Sequence, residues 1–500
     1  MSDIAVRSRR FIAQGEAGMP PSWPRVPLPE VPCADLLWGL PDARELPMGN
    51  AVGHWRTLNH VLGSIGEGGS PAAARYSSWA EFVGQEASAA LDTPAFYHWC
   101  RRFHDALAAI VTSGAHGVQR AAAGVDLATQ LMRFAPFAVA TAAERGAWPF
   151  PGPVRLSLPL VLPGMPWRLS GAATVDVLGI ADDGLAIAAN GAAATLPLQA
   201  GASAGRIDVE SVQTASGLGT DFILGADGLA LPGELRYAAA VGPSSWYRAQ
   251  TPRVEAALDA VARYAPRVAE RFAISIRQLG LKMPEAGGFD DFSEPELPGT
   301  FVASIVPNTL ELADHFIHEF QHNHLSFLEE SGALLDPAAP ENSAPRYYSP
   351  WRGRPRGLYG IFHGVFVFIA VSRFWLAVAR SEETRGATLA YARDRVARFP
   401  RQFQLALAVL RGHATPTALG QRLLAELGRS ADAVGRELRE EGLDRDTPAF
   451  TLDAAGRPVP VTEGGQARTV LEGLRAHHAG HAAKATCPEA ETILALDGPT

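Results

Sequence analysis

The sequence predicts an α+β protein, mostly helical and multi-domain, with a central β-rich segment and a helical HExxH metal-binding core. Three observations predict it. From about Trp55 to Arg145, and again from Arg253 to about Glu441, apolar residues recur three and four apart, the spacing of one helix face. Between Pro151 and about Gly242 the chain changes to short apolar runs broken by Gly, Pro, Asn and Asp. The second helical stretch carries the run His318-Glu319-Phe320-Gln321-His322.

In chain order, residues 1–150 are expected to form a proline-rich arm followed by a helical region. The arm holds Pro20, Pro21, Pro24, Pro27, Pro29 and Pro32 and favours extended backbone. Residues 151–250 are the β-rich segment, with hairpin-type turn signals at Asp182-Asp183-Gly184 and Asn190-Gly191. Residues 251–440 form the helical metal-binding catalytic domain. Within it, helix is expected from Arg253 to about Leu281, and Thr300–Val306 reads as a strand. Helices then dominate from Thr309, interrupted by a loop between Ser331 and Gly357. Residues 441–500 are expected to be peripheral, with His477, His478 and His481 in a solvated tail.

Composition excludes several functions. The chain has 500 residues, 44 Lys+Arg against 52 Asp+Glu and a net charge of −8, so it lacks the basic balance of a general nucleic-acid binder. Lys282 and Lys484 are the two lysines, and neither follows a glycine in a Walker A loop, so the common phosphoryl-transfer folds are not expected. Cys33, Cys100 and Cys487 are far apart and show no CxxC spacing, which argues against a disulfide framework or a cysteine zinc site. No apolar run follows Arg7, Arg9 and Arg10, so no signal peptide is expected and the predicted location is the cytoplasm. The most apolar window, Leu358–Val371, falls short of the roughly 18 residues needed to span a bilayer. It reads as a buried helix, and no membrane association is expected. The oligomeric state is not set by the sequence.

The chemistry concentrates in the HExxH run. Residues four apart on a helix share a face, so His318 and His322 can reach one ion, and Glu319 projects beside them. Asn308 and Glu311 make a capping pair for this helix. His315 lies two turns before His322, roughly 10 Å away along the axis, and cannot share its coordination shell; it reads as a neighbour of the site or a half-buried histidine. His324 points off this face and reads as structural. Two helical histidines need a third ligand from elsewhere. Glu329, Glu330 and His363 are the candidates, and His363 is favoured because it comes from a separate apolar helix. Gly360 and Gly364 would let that helix approach a neighbouring helix closely. Between the two helices, Arg346-Tyr-Tyr-Ser-Pro-Trp-Arg-Gly-Arg-Pro-Arg reads as an anion clamp, since arginine binds carboxylates bidentately.

Three blocks together, His318-Glu-Phe-Gln-His-Asn-His-Leu, Tyr348-Ser-Pro-Trp-Arg-Gly-Arg-Pro-Arg and His363-Gly-Val-Phe-Val-Phe with Arg373-Phe-Trp, resemble the HExxH-containing peptide-modification proteins. That family is also described as 2-oxoglutarate-dependent HExxH-type peptide β-hydroxylases, which act on ribosomally made peptide natural products. The resemblance covers roughly residues 300–380. It implies a non-haem Fe(II) enzyme that uses 2-oxoglutarate and O2 to hydroxylate a side-chain Cβ of a precursor peptide. His318 and His322 would bind the iron and His363 would be the third ligand. Arg352 and Arg356, with Tyr348 adjacent, would hold the 2-oxoglutarate carboxylates, and Glu319 would act in catalysis. Arg354 falls where the family is acidic or variable and is given no role. Two other readings compete. In a zinc metallopeptidase, Glu319 would be the general base for a zinc-bound water. In a non-catalytic binder with a structural metal, the β-rich segment would capture a leader peptide by strand addition.

Overall fold

The computed structural model describes most of residues 51–482, apart from the segments 63–70, 114–126, 226–243 and 284–290 and scattered single positions. The predicted proline-rich arm, Cys33, Cys487 and Lys484 lie outside the described residues. The architecture is mixed α/β, with helices predominating over several small sheets.

The N-terminal helices are α1 (Pro71–Gly84), α2 (Pro94–Ser113), α3 (Leu127–Met132) and α4 (Ala135–Arg145). Tyr76, Trp79, Phe82 and Val83 put the apolar face of α1 inward. Trp99 of α2 stacks between Phe96 and Phe103 and donates its indole N–H to the Gln130 carbonyl at 2.7 Å.

The β-rich segment contains β1 (Val154–Ser157), β2 (Leu160–Val161), β3 (Trp167–Ser170), β4 (Thr174–Ala181), β5 (Gly184–Ala189), β6 (Ala192–Pro197), β7 (Ser203–Ala204), β8 (Ile207–Ser211), β9 (Thr214–Gly217) and β10 (Thr220–Leu224). Two antiparallel sheets have the orders β1-β4-β5-β6 and β2-β3-β8-β7. The strands flanking the two hairpin signals pair antiparallel, β4 with β5 and β5 with β6, while Asp183, Asn190 and Gly191 lie outside the described residues. Gly184 is required at the first, because a Cβ there would lie 2.1 Å from the Leu196 carbonyl oxygen.

The second half adds α5 (Ser244–Tyr264), α6 (Pro266–Ser275), β11 (Gln278–Lys282), β12 (Thr300–Ser304), α7 (Thr309–Glu329), α8 (Leu358–Arg380), α9 (Gly386–His413) and α10 (Ala418–Glu440). The helix expected to run to Leu281 stops at Ser275. Residues 278–282 instead form a strand buried at every position, because it pairs in parallel with β10 on one side and β12 on the other. The sheet order β12-β11-β10-β9 runs across the expected boundary near residue 250. The β9–β10 hairpin belongs with the helices that follow it. The hydrophobic cores divide the same way: one runs from Ala51 to Val209, the other from Ala215 to Leu438.

Helix α8 is longer than the apolar window read from the sequence. It spans 23 residues and is the one helix among the described residues long and apolar enough to cross a membrane; 72% of that stretch is buried inside the protein. The length argument therefore fails, and burial carries the reading of α8 as a core helix.

The C-terminal expectation is also corrected. After β13 (Phe450–Leu452), β14 (Pro458–Pro460), β15 (Thr462–Glu463) and β16 (Gln466–Ala467), residues Val470–Ala482 form α11. Val470 and Leu474 pack with Tyr348, Ala397 and Leu405, and His481 is buried, so the histidine cluster is a docked helix and not a solvated tail.

Candidate metal centre

Helix α7 is fixed at its start by Asn308, whose Oδ1 accepts from the amides of Leu310 and Glu311 at 3.0 and 3.1 Å. Its Nδ2 donates to the Gly456 carbonyl. Glu311 does not close a reciprocal box: its carboxylate accepts from the Tyr391 hydroxyl. The capping pair read from the sequence is thus half realised.

One helical turn places His318 and His322 with ring centroids 4.9 Å apart. Helix α8 packs against α7 and brings His363 in, with Nδ1 of His363 3.4 Å from Nδ1 of His322. Two nitrogens each about 2.1 Å from a tetrahedral ion are about 3.4 Å apart, so this pair has the spacing of two ligands of one metal. The same distance suits a long hydrogen bond between neutral imidazoles. Burial holds His322 down to about 4 and pushes His318 and His363 well below the ordinary histidine range, with neighbouring cations adding to the effect. All three are neutral near pH 7, the state a metal requires. Nε2 of His363 is buried and has no hydrogen-bond partner among the described residues. The donor chemistry therefore fits a divalent ion. The geometry is not closed, however: among the described residues no three His, Cys, Asp or Glu side chains form a group that could hold a metal as they stand. Binding by all three histidines requires their rings to turn toward a common point.

The rival ligands separate. Glu329 sits at 3.8 Å from His363 Nε2 and accepts from the Tyr359 hydroxyl at 2.6 Å. It is nearer the histidines than its position on α7 suggested, because α8 leans across it. Glu330 instead accepts from Tyr97 of the N-terminal core. His324 is buried against Phe320 and Phe366. His315 is ion-paired to Asp291 at 2.8 Å, which raises its pKa despite its burial.

A cavity of about 500 Å³ opens beside His318. Glu319, His315, Asp291, Arg352, Trp351 and Phe368 are among its walls. The Ser293 hydroxyl donates to Glu319 at 2.8 Å, yet burial pushes the Glu319 carboxyl up to about 8. Trp351 stacks on Phe368, and its indole N–H has no partner among the described residues. Most charged groups of the wall are spoken for: Arg395 pairs with Asp314 and approaches Glu311, and Arg398 pairs with Asp394. Arg352 makes no ion pair among the described residues.

The clamp loop is divided between two places. Arg352 lines the cavity beside His318. Arg356 lines a second cavity, of about 610 Å³, with Arg354, Glu329 and Tyr359. Tyr348 lies in neither lining; it is fully buried, and its hydroxyl meets His477 Nδ1 at 3.0 Å. The glycines of α8 also act differently from the expectation. A Cβ on Gly364 would lie 2.7 Å from the Trp351 ring, and one on Gly360 would lie 3.1 Å from Arg356. They admit the clamp loop and not a neighbouring helix.

Sequence reasoning missed three contributors. Arg395 ties α7 to α9 through Asp314, Asp291 orients His315, and His477 lines the His318 cavity. The i,i+4 spacing of His477 and His481 was the available signal for the last. Asp291 and Arg395 gave none, because their partners are distant in sequence. No family model matches the chain, and no curated protein matches it.

Proposed function

We propose that this protein is a cytoplasmic iron(II)- and 2-oxoglutarate-dependent oxygenase that hydroxylates a side-chain Cβ of a ribosomally made precursor peptide. The reading is carried by the His322–His363 pair at 3.4 Å, held between two helices in neutral form with His318 one turn away. In this reading the core around α7 and α8 is the catalytic unit, and the core of residues 51–209 is a separate unit.

His318, His322 and His363 would hold the iron, which with 2-oxoglutarate and O2 supplies the oxidant. The balance is a C–H bond, O2 and 2-oxoglutarate giving an alcohol, succinate and CO2. The chain's own residues bind and exclude. Arg352 and the unpartnered Trp351 N–H offer donors for a carboxylate beside His318. Phe368, which meets the His318 ring edge-on at 5.1 Å, and Phe399 keep that wall apolar and limit water. Glu319 is fixed by Ser293, and burial, which pushes its carboxyl up to about 8, favours its neutral form before a metal binds.

A second reading, zinc-dependent peptide hydrolysis, is favoured by Glu319 standing in the wall of the same cavity as His318. One experiment separates them. Protein prepared anaerobically with Fe(II) is mixed with 2-oxoglutarate and its visible spectrum recorded. A new charge-transfer band is expected, with loss of at least about nine-tenths of bound iron in His363→Ala. Absence of the band, with tight zinc and peptide cleavage instead, would overturn the oxygenase reading.

A further inference from the structure

The second cavity is not explained by the metal chemistry. No histidine lines it; Glu329 in its wall lies 3.8 Å from His363 Nε2, whereas His318 itself lines the first. On α7, Glu329 of the second cavity and Glu319 of the first are ten positions apart, about 15 Å along the helix. The four arginines between residues 346 and 356 fall in three places. Arg346 lies over the Tyr347 ring, and Arg352 serves the first cavity. Arg354 and Arg356 both line the second and make no ion pair among the described residues.

We propose that this second cavity docks an acidic segment of peptide, read by Arg354 and Arg356, separately from the pocket beside His318. The loop presents both side chains from a fixed backbone. Tyr347 and Arg356 exchange two main-chain hydrogen bonds, at 3.0 and 2.9 Å. Gly357 packs so closely that a Cβ would lie 2.7 Å from the Ser343 carbonyl oxygen. Ala333, Leu335 and Pro337 give the same lining an aliphatic wall, with Leu334 fully buried and Asp336, Asn342 and Ser343 polar. Two guanidiniums beside an aliphatic wall match carboxylate side chains interleaved with aliphatic ones. A free dicarboxylate would satisfy the cations and leave that wall uncovered. Of the two acids in the lining, Glu329 accepts from the Tyr359 hydroxyl and Asp336 from the Ala338 amide. The chain as a whole carries −8, so an acidic peptide is repelled at long range and selectivity for it must arise at a local basic site. That such a peptide is the substrate rests on the oxygenase reading; the docking itself does not.

The test uses the full chain, freed of metal with a chelator, and fluorescence anisotropy. The probes are a fluorescein-labelled hexapeptide of alternating glutamate and leucine and its lysine–leucine counterpart. The acidic probe is expected to bind and the basic one not, with affinity falling as salt rises. Arg354→Glu and Arg356→Glu should each weaken binding about tenfold or more, and Arg352→Glu less than about twofold. Arg354 is exposed, so Arg354→Gln gives a milder variant whose unchanged thermal melt reports an intact fold. Excess 2-oxoglutarate should not displace the probe. No binding, equal binding of both probes, an equal loss in Arg352→Glu, or displacement by 2-oxoglutarate would each overturn the proposal. None of these outcomes touches the charge-transfer test, which contains no peptide.

Discussion

Glu319 sits at the meeting point of burial and chemistry. Its carboxyl is raised to about 8, chiefly by loss of water, while the Ser293 hydroxyl works in the opposite direction. An unfolded glutamate ionises near 4.5, so between pH 4.5 and 8 the unfolded chain releases a proton that the folded chain keeps. Stability that is fully present below about 4.5 is therefore lost as pH rises through 8, at up to about 1.4 kcal/mol per unit. Glu319→Gln keeps the neutral shape and removes this loss. In metal-free protein, urea unfolding should show the variant gaining on the parent from pH 5 to pH 8 and matching it near pH 4.5. A constant difference across that range would mean that Glu319 is ionised in the folded protein. At this scale the sequence was informative about identity and poor about direction. The HExxH spacing put His318 and His322 together because helical periodicity is local. Nothing local says that Tyr348 turns toward His477, or that Arg352 and Arg356, four apart in a loop, enter different cavities.

Helix α7 is held by more than its cap. Arg395 reaches from α9 to the Asp314 carboxylate, lies over the Trp375 ring at 5.4 Å and comes within 3.8 Å of Glu311. Trp375 of α8 donates to the same Asp314 at 2.6 Å, so three helices meet at one buried carboxylate. Removing the cation leaves Asp314 and Glu311 uncompensated in a medium of low polarity. Arg395→Met should cost about 3–5 kcal/mol in urea unfolding. Adding Asp314→Asn to that variant should return part of the loss, because the worst-buried charge is then neutral. Strictly additive losses would show that the ion pair carries no coupling. Periodicity found α7, α8, α9 and α10 but misjudged β11. An all-buried run of five residues following a helix has no pattern of its own, and only its neighbours in the sheet make it a strand.

Those neighbours also decide how the whole chain divides. The change of texture near residue 250 falls within α5, and the sheet β12-β11-β10-β9 runs across it. The parallel pairing of β10 with β11 spans more than fifty residues and is invisible to any local window. Packing follows the pairing: Gly217 of β9 lies so near Leu258 of α5 that a Cβ would come within 2.8 Å of it, and Ala215, Phe222, Leu224 and Tyr247 belong to the second core. A fragment of residues 213–482 keeps that sheet and core intact, whereas one of residues 251–482 removes two strands, the first turns of α5 and four buried core residues. The shorter fragment would also expose β11, a strand buried on both faces, as an unprotected edge. We expect the longer fragment to be soluble and to melt cooperatively, and the shorter one to aggregate. The bond from Tyr97 to Glu330 is lost in both, so it cannot produce the difference. Cooperative melting of 251–482 at the same temperature would show that the β9–β10 hairpin is dispensable and that the boundary near residue 250 was correct. Calorimetry on the two fragments side by side decides between these outcomes, because only a shared core makes the hairpin and the helices α7 and α8 unfold in one transition.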